Sequence, residues 1–449
     1  MGISSSKRDT ARGATIQALL AVKEDEGYSN IVIDKVLREY KWDIRDKKLA
    51  SAIFYGTIEK QITLDYYLSF AIKDKTKKMD SHAQIVLRTA AYQIFFMDKI
   101  PDSAVVNEAV SLIKSFGKTA LSGFVNAVLR SLLRQKDSLA LPKGQDIESL
   151  SIRYSIPQDL IVLWQKSYGK EITEKLLESF SQKSDTFIRV NNVKTTVNEI
   201  SESFKKNKIE FTKSNILPYM LTISGEGNLT EWEEFQKGFF HVQDLSSQLA
   251  CEILSPKENE YVLDCCSAPG GKSFTMAEMM QNNGKLLAFD LYKGRVRLIQ
   301  QGAERLGLSV IETGRHDALE KWTLEPIFDK ILCDVPCSGF GVIRKKPEIR
   351  YKSLQTLKNL PQIQYDILQN ASQLVKKGGR VLYSTCTLNP AENQEVAERF
   401  LRENSNFKGA AIELPQTIQR VIKEPNYMAT LTPFSGASDG FFIAMFERI

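Results

Sequence analysis

The chain carries 449 residues, 43% of them hydrophobic and 25% charged, with a net charge of +6 and an isoelectric point near 8.7. This is the composition of a soluble globular protein of two to four domains, and no stretch approaches the ~18 uncharged apolar residues of a membrane helix. The basic excess falls mostly in the first 150 residues, which fits a polyanionic partner touching the N-terminal part.

The start, "MGISSSKRDTARG", lacks the basic-then-apolar pattern of a secretory leader. It matches the N-myristoylation pattern through Gly2 and Ser6, a short match of a kind that arises by chance. From Ser6 to about Lys136 the periodicity is helical throughout. In "DSAVVNEAVSLIKSFG" (102–117) Asp102 or Ser103 is placed to cap the start after Pro101. Val106, Ala109, Val110, Ile113 and Phe116 then form one apolar face, and Gly117 ends the helix. "AQIVLRTAAYQIFFM" and "LSGFVNAVLRSLL" read the same way, so residues 1–140 are expected to form an all-helical bundle.

"QKDSLALPKGQDIESLS" (135–151) is polar and reads as a linker. Residues 152–238 mix helical stretches with two short strands, "TFIRVN" and "YMLTIS", as in a small α+β module. From 239 to 449 the texture changes to alternating strands and helices. The strands are "YVLDCC", "KLLAFD", "SVIETG", "DKILCD" and "GRVLYSTC", with "GFFIAMFERI" closing the chain. Their apolar, β-branched runs and helix-length spacers predict a mostly parallel sheet covered by helices on both faces. The fold class is therefore α/β, preceded by an all-α bundle and a small α+β module.

All six cysteines lie between Cys251 and Cys386. A disulfide framework would spread them along the chain. No C-x-x-C pair and only three histidines argue against a metal site. Cys251 and Cys333 read as small buried hydrophobes. Cys337 in "DVPCSG" and Cys386 in "STCT" differ, because both follow a strand and enter loops rich in hydroxyls and glycine. Neighbouring strand ends would bring both thiols to one cleft. Sequence physics does not separate them as nucleophiles.

"YVLDCCSAPGGKSFTMAEMM" runs from a strand through a small-residue turn into a helix, the arrangement that lets backbone approach a ligand at a helix N-terminus. It is not G-x-G-x-x-G, and Pro269 would be awkward inside a diphosphate loop. Asp290 ends the next strand, where an acidic residue typically binds ribose hydroxyls; capping the following helix is the plainer alternative. Asp317 follows the third strand and Asp334 ends the fourth. Open α/β sheets bind ligands at this carboxyl edge.

These residues carry a resemblance. "DCCSAPGGKS", "DVPCSGFGVIRKKPEIRY" and "YSTCTLNPAENQEV" resemble three motifs of the S-adenosylmethionine-dependent RNA 5-methylcytosine methyltransferases. "GFFHVQDLSSQLA" and "SDGFF" match that family's flanks, and the helical N-terminal region is similar to NusB. The pairing is that of the 16S ribosomal RNA methyltransferase B (RsmB/Sun) subfamily. Departures are Ser267 where alanine is usual and Tyr351 where tryptophan is common, the latter bearing on substrate packing.

The resemblance implies a Rossmann-like catalytic domain with S-adenosylmethionine as cofactor and methyl transfer to C5 of a cytosine in 16S ribosomal RNA, free or partly assembled. Cys386 would attack C6 covalently, Cys337 would assist release, Asp334 would sit by the cytosine edge and Lys272 near the reacting centre. Cys266, Ser267, Ala268, Pro269, Gly270, Gly271 and Lys272 would form the cofactor turn, with Asp290 on the ribose hydroxyls, Asp317 on the adenine amino group and Asp334 at the methionyl end. "RKKPEIR" (344–350) would hold phosphates beside a flipped base. No metal and no membrane are involved, and a cytoplasmic monomer is expected. The same motifs also serve enzymes acting on tRNA or other ribosomal cytosines. A vestigial enzyme domain in an RNA-binding assembly or transcription factor is the reading from another class.

Overall fold

The computed structural model describes residues 7–25, 29–40, 42–72, 79–224 and 228–449. Gly2 and Ser6 lie outside the described residues. Two compact units result: Met1–Lys166 with Ile343–Lys352, and Ser167–Val342 with Ser353–Ile449. Among the described residues no helix is long and apolar enough to cross a membrane.

The first unit is helical. Helices Ser81–Phe96, Asp102–Ser115 and Ser122–Gln135 bury one apolar stripe each around Val86, Leu87, Ile113, Val125 and Leu129. In Asp102–Ser115 the buried face is Val105, Val106, Ala109, Leu112 and Ile113, rotated from the predicted stripe, so that Val110 and Phe116 are half-buried at its rim. Pro101 occupies the N-cap and no side chain caps it, because the Asp102 carboxylate accepts from Lys136 Nζ at 3.2 Å instead. Gly117 stops the helix at φ +76°. The stretch read as a linker contains helix Ile147–Tyr154, capped by Asp146, whose side chain accepts from Ser149 N at 2.9 Å.

Ile343–Lys352 belongs to this helical unit although it lies between strands of the second. Pro347–Tyr351 forms a 3₁₀ turn. Arg350, 2% exposed, donates from Nη1 to Glu59 O (3.0 Å) and Ser155 O (3.4 Å), and from Nη2 to Ile343 O (3.3 Å). Tyr351 Oη donates to Ile58 O at 2.9 Å, and Glu348 accepts from Ser29 N and Oγ at 3.2 and 2.6 Å. The reading of Arg350 as a phosphate ligand is thereby corrected: its guanidinium is spent on buried carbonyls. Tyr351 likewise packs inside the helical unit.

The second unit holds two sheets. Strands β1 (Thr186–Val190), β2 (Phe211–Lys213), β3 (Met220–Ile223) and β4 (Phe240–Val242) form an antiparallel sheet in the order β2-β3-β1-β4. Helix Val197–Lys206 packs Ile200 and Phe204 into the same small core, its start fixed by a Thr196–Glu199 capping box. The larger sheet contains β5 (Tyr261–Asp264), β6 (Lys285–Asp290), β7 (Ile311–Arg315), β8 (Phe328–Asp334), β9 (Val375–Thr385), β10 (Phe407–Gly409), β11 (Met428–Leu431) and β12 (Phe441–Arg448). Its order is β10-β12-β9-β8-β5-β6-β7, with β11 paired to β12. Strands β5 to β9 pair in parallel, and β12 runs antiparallel to β9. Apolar cores flank this sheet on both faces, one around Leu249, Met276 and Leu286, the other around Phe328, Leu368 and Phe400. The interior Val, Ile and Leu of β5 and β8 serve both, as a parallel sheet covered on two sides requires.

Replacing Arg350 with alanine removes three charged hydrogen bonds and strands the carbonyls they satisfy, at a cost of about 3 kcal/mol. Circular-dichroism melting of the full chain is expected to show the helical transition lowered by several degrees in Arg350→Ala, and little changed in the exposed control Arg45→Ala.

Candidate active site

The parallel registers align the strand ends. Asp264 lies opposite Ala288 and Leu332, and Asp334 lies opposite Ser384. Asp264, Asp290 and Asp334 therefore share the carboxyl edge of one sheet, and Asp317 follows β7 at that edge. Cys337 comes three residues after Asp334, Cys386 two after Ser384. Their sulfurs stand 3.3 Å apart, and both side chains are half-buried. The approach depends on a missing side chain at Gly341, whose N–H donates to Cys386 O at 3.0 Å while its carbonyl accepts from Gly440 N at 3.0 Å. A Cβ at Gly341 would collide with the backbone of Gly440 and Cys386.

Asp334 is held on both oxygens. Oδ1 accepts from Ser384 Oγ at 2.8 Å, and Oδ2 accepts from Lys272 Nζ at 2.8 Å. Lys272 stands 5.3 Å from the centre of the Phe441 ring, which closes one side of the ammonium. Burial opposes its charge, but Asp334, with smaller help from Cys251 and Cys386, holds its pKa above the ordinary lysine value. The ammonium thus stays charged in a half-buried site beside the thiols, where it favours a thiolate.

Along the same edge, Cys266 to Lys272 connect β5 to helix Gly271–Met279. Ser267 donates to Phe289 O at 2.8 Å, the Ala268–Pro269 peptide is cis, and Gly270 has φ +110°. Asp290, 3% exposed, accepts from Ala268 N at 3.3 Å and Tyr292 N at 3.2 Å, and Arg295 braces it at 3.4 Å. It does not cap the next helix, whose N-cap is Tyr292. Asp317, half-buried, accepts from Leu319 N at 3.0 Å.

Residues 251–447 match the family model for the 16S rRNA methyltransferases RsmB/F, residues 9–134 the NusB family, and residues 156–230 the ferredoxin-like domain of RsmF/B-like methyltransferases. The probable ribosomal RNA small subunit methyltransferase B of Bacillus subtilis is 35% identical, over 98% of this chain and 99% of its own. That of Synechocystis is 31% identical, with 98% and 99% covered. The crystal structure of PH0851 superposes with a TM-score of 0.84 at 26% identity, both chains being covered in full. The chain belongs to the ribosomal RNA small subunit methyltransferase B family.

It is accordingly an S-adenosylmethionine-dependent ribosomal RNA methyltransferase with a NusB-like domain, a ferredoxin-like module and a Rossmann-like catalytic domain. The residues at the sheet edge fit that cofactor. Asp264 Oδ1 is buried without a well-formed hydrogen bond, while its Oδ2 accepts from Ser273 Oγ at 2.6 Å. The turn leaves backbone exposed at Gly271, where a Cβ would meet nothing closer than 3.7 Å, and the first N–H groups of the helix have no partner within it. A donor with a carboxylate, an amino group and ribose hydroxyls, and no phosphate, suits such groups.

Sequence reasoning missed Ser384, Ser273 and Phe441. Ser384 stood in the quoted "YSTC" stretch, but strand register was needed to put it opposite Asp334.

Burial, against the Ser273 hydrogen bond and reinforced by Asp334, raises the Asp264 pKa to about 7. A carboxyl whose folded pKa lies above its unfolded value of about 3.9 gives stability that is full below that value and lost as pH rises through 7. Asp264→Asn does not ionise, so its stability relative to the parent should improve by about 3 kcal/mol between pH 4 and pH 8. Melting temperatures of both proteins across that range check this; a constant difference would contradict it.

Proposed function

We propose that this methyltransferase modifies C5 of a cytosine in 16S ribosomal RNA, with Cys386 as the covalent nucleophile and Cys337 assisting release. The observation that carries the reading is the meeting of two thiols at 3.3 Å beside the Lys272–Asp334 pair. A methyltransferase acting on a ring nitrogen or oxygen has no use for a nucleophilic thiol. C5 of cytosine does, because it is a poor nucleophile until a thiolate adds to C6 and turns the ring into an enamine.

S-adenosylmethionine, when bound, supplies an electrophilic methyl group. The Cys266–Lys272 turn and the helix N-terminus would hold its methionyl end with Asp334, Asp290 its ribose hydroxyls and Asp317 its adenine amino group. Lys272 stabilises the Cys386 thiolate, and Asp334 orients Lys272 while facing the cytosine edge. After C5 is methylated, solvent water takes the C5 proton, the C–H electron pair forms the C5–C6 double bond, and the C6–sulfur pair departs with Cys386 as its thiolate. Cys337, hydrogen-bonded to Cys386 sulfur, stands where it can assist that departure. The target base must be unstacked to reach this cleft. The similarity of the B. subtilis relative over the full chain, including the NusB-like part, favours small-subunit RNA over tRNA as substrate.

The cysteine roles make opposite predictions. With small-subunit RNA and S-adenosylmethionine, Cys386→Ala should form no covalent complex. Cys337→Ala should accumulate one that survives denaturing gel electrophoresis, because attack and methylation still occur while release stalls. An adduct in Cys386→Ala and none in Cys337→Ala would reverse the roles. Bisulfite sequencing of ribosomal and transfer RNA from a deletion strain should locate one lost 5-methylcytosine in 16S RNA.

A further inference from the structure

Both cysteine loops converge on one buried side chain that the chemistry above does not use. Glu392 is 0% exposed. Its Oε2 accepts from Ser338 N at 2.8 Å and from Gln364 Nε2 at 2.9 Å, and its Oε1 accepts from Asn389 Nδ2 at 2.9 Å. Ser338 adjoins Cys337, and its hydroxyl is hydrogen-bonded to that of Thr387, next to Cys386, at 2.6 Å. Gln364 also donates to Pro336 O at 2.8 Å, and Tyr383 Oη donates to the Glu392 carbonyl at 2.5 Å. One carboxylate thus holds the residue after Cys337 and the turn after Cys386 in a single buried network. The three donors to it are all neutral groups.

We propose that Glu392 is a positioning residue for methyl transfer, clamping the Cys337 loop to the Cys386 loop and setting by its charge which of the two sulfurs keeps a proton. The inference rests on the cysteine roles argued above. Glu392 lies one hydrogen bond from the residue that follows Cys337, and Cys386 is among the groups that support the Lys272 charge. The hydrogen bond to Cys386, burial and the neighbouring Cys386 sulfur, with a smaller part from Glu392, push the Cys337 thiol well above the ordinary cysteine range. A protonated Cys337 can donate a hydrogen bond to the Cys386 sulfur as it departs from C6; a thiolate there would repel it.

Glu392→Gln keeps the size and removes the charge; Glu392→Asp keeps the charge and shortens the clamp. In the full-length protein, iodoacetamide labelling of Cys337 at pH 8, read by peptide mass spectrometry, should rise at least threefold in Glu392→Gln and stay within twofold of the parent in Glu392→Asp. In single turnover with small-subunit RNA, the covalent complex should persist at least tenfold longer in both. Thermal melting identifies any variant that does not fold, and Glu392→Asp, which retains an acceptor for the same donors, then decides the clamp alone. Unchanged Cys337 labelling in folded Glu392→Gln overturns the charge role, and an unchanged adduct lifetime in Glu392→Asp overturns the positioning role. If no adduct forms even in Cys337→Ala, the cytosine reading fails instead, and the labelling result still judges Glu392.

Discussion

Everything at the reactive edge depends on the parallel pairing of β8 with β9 in the register that sets Asp334 opposite Ser384. Side chains alternate faces along a strand, so a slip of one residue would move every contact of Asp334 to the other side of the sheet. The same register places two loops side by side, and their cysteines come into sulfur-to-sulfur contact although 49 residues separate them. Apolar burial enforces it: Ile331, Leu332, Cys333, Val381, Leu382 and Tyr383 are all fully buried, and any shift would expose some and cram others. The pairing also explains why Gly341 and Gly440 meet, since β12 lies antiparallel to β9 and its entry carries Gly440 past the Cys337 loop.

A second constraint reaches the site from the ferredoxin-like module. Arg189 on β1, with its side chain 1% exposed, donates to Glu278 at 2.9 Å and Glu252 at 3.0 Å, and His241 Nδ1 lies 3.3 Å from the other Glu278 oxygen. Glu278 belongs to the helix whose first turn carries Lys272. Burying this cluster is costly unless each charge is met, and removing one partner would leave another exposed to a low-dielectric interior. The arrangement therefore contributes less to net stability than to fixing the rotation of that helix relative to β1 and β4. Strand β1 and the helix that carries Lys272 are thus tied together by one network.

How much of this was legible in the sequence follows from the range of the interactions involved. Strand ends, the small-residue turn and the aspartates that follow successive strands are local patterns, and the β6 stretch "KLLAFD" was read to its limits. Strands β10 and β11, three and four residues long, were invisible because their only signal is pairing with β12. The polar stretch 135–151 reads as a linker, yet it contains helix Ile147–Tyr154, because Asp146 caps a start that composition alone does not reveal. Glu392 was missed for a different reason. In "NPAENQEV" an acidic residue among polar neighbours looks like a solvated helix start, and only the tertiary structure reveals three buried donors pointed at it.

The basic run after Cys337 shows the limit of reading charge as surface. "RKKPEIR" has the composition of a phosphate contact, yet Arg350 ends in carbonyls of the helical unit and Glu348 binds Ser29 there. Ile343–Lys352, which follows the Cys337 loop along the chain, has its hydrogen-bond partners within the helical unit. This bears on how the NusB-like domain is assigned a role. Deleting residues 1–140 would remove the partners of Glu348 and leave Arg350 and Tyr351 without the carbonyls of Ile58 and Glu59. Weak RNA binding or slow turnover in such a truncation would report the lost packing of Ile343–Lys352 as well as any lost RNA contact. Substitutions of exposed basic residues that leave Ile343–Lys352 packed separate the two, because they remove charge from the helical surface without disturbing the buried hydrogen bonds of that segment.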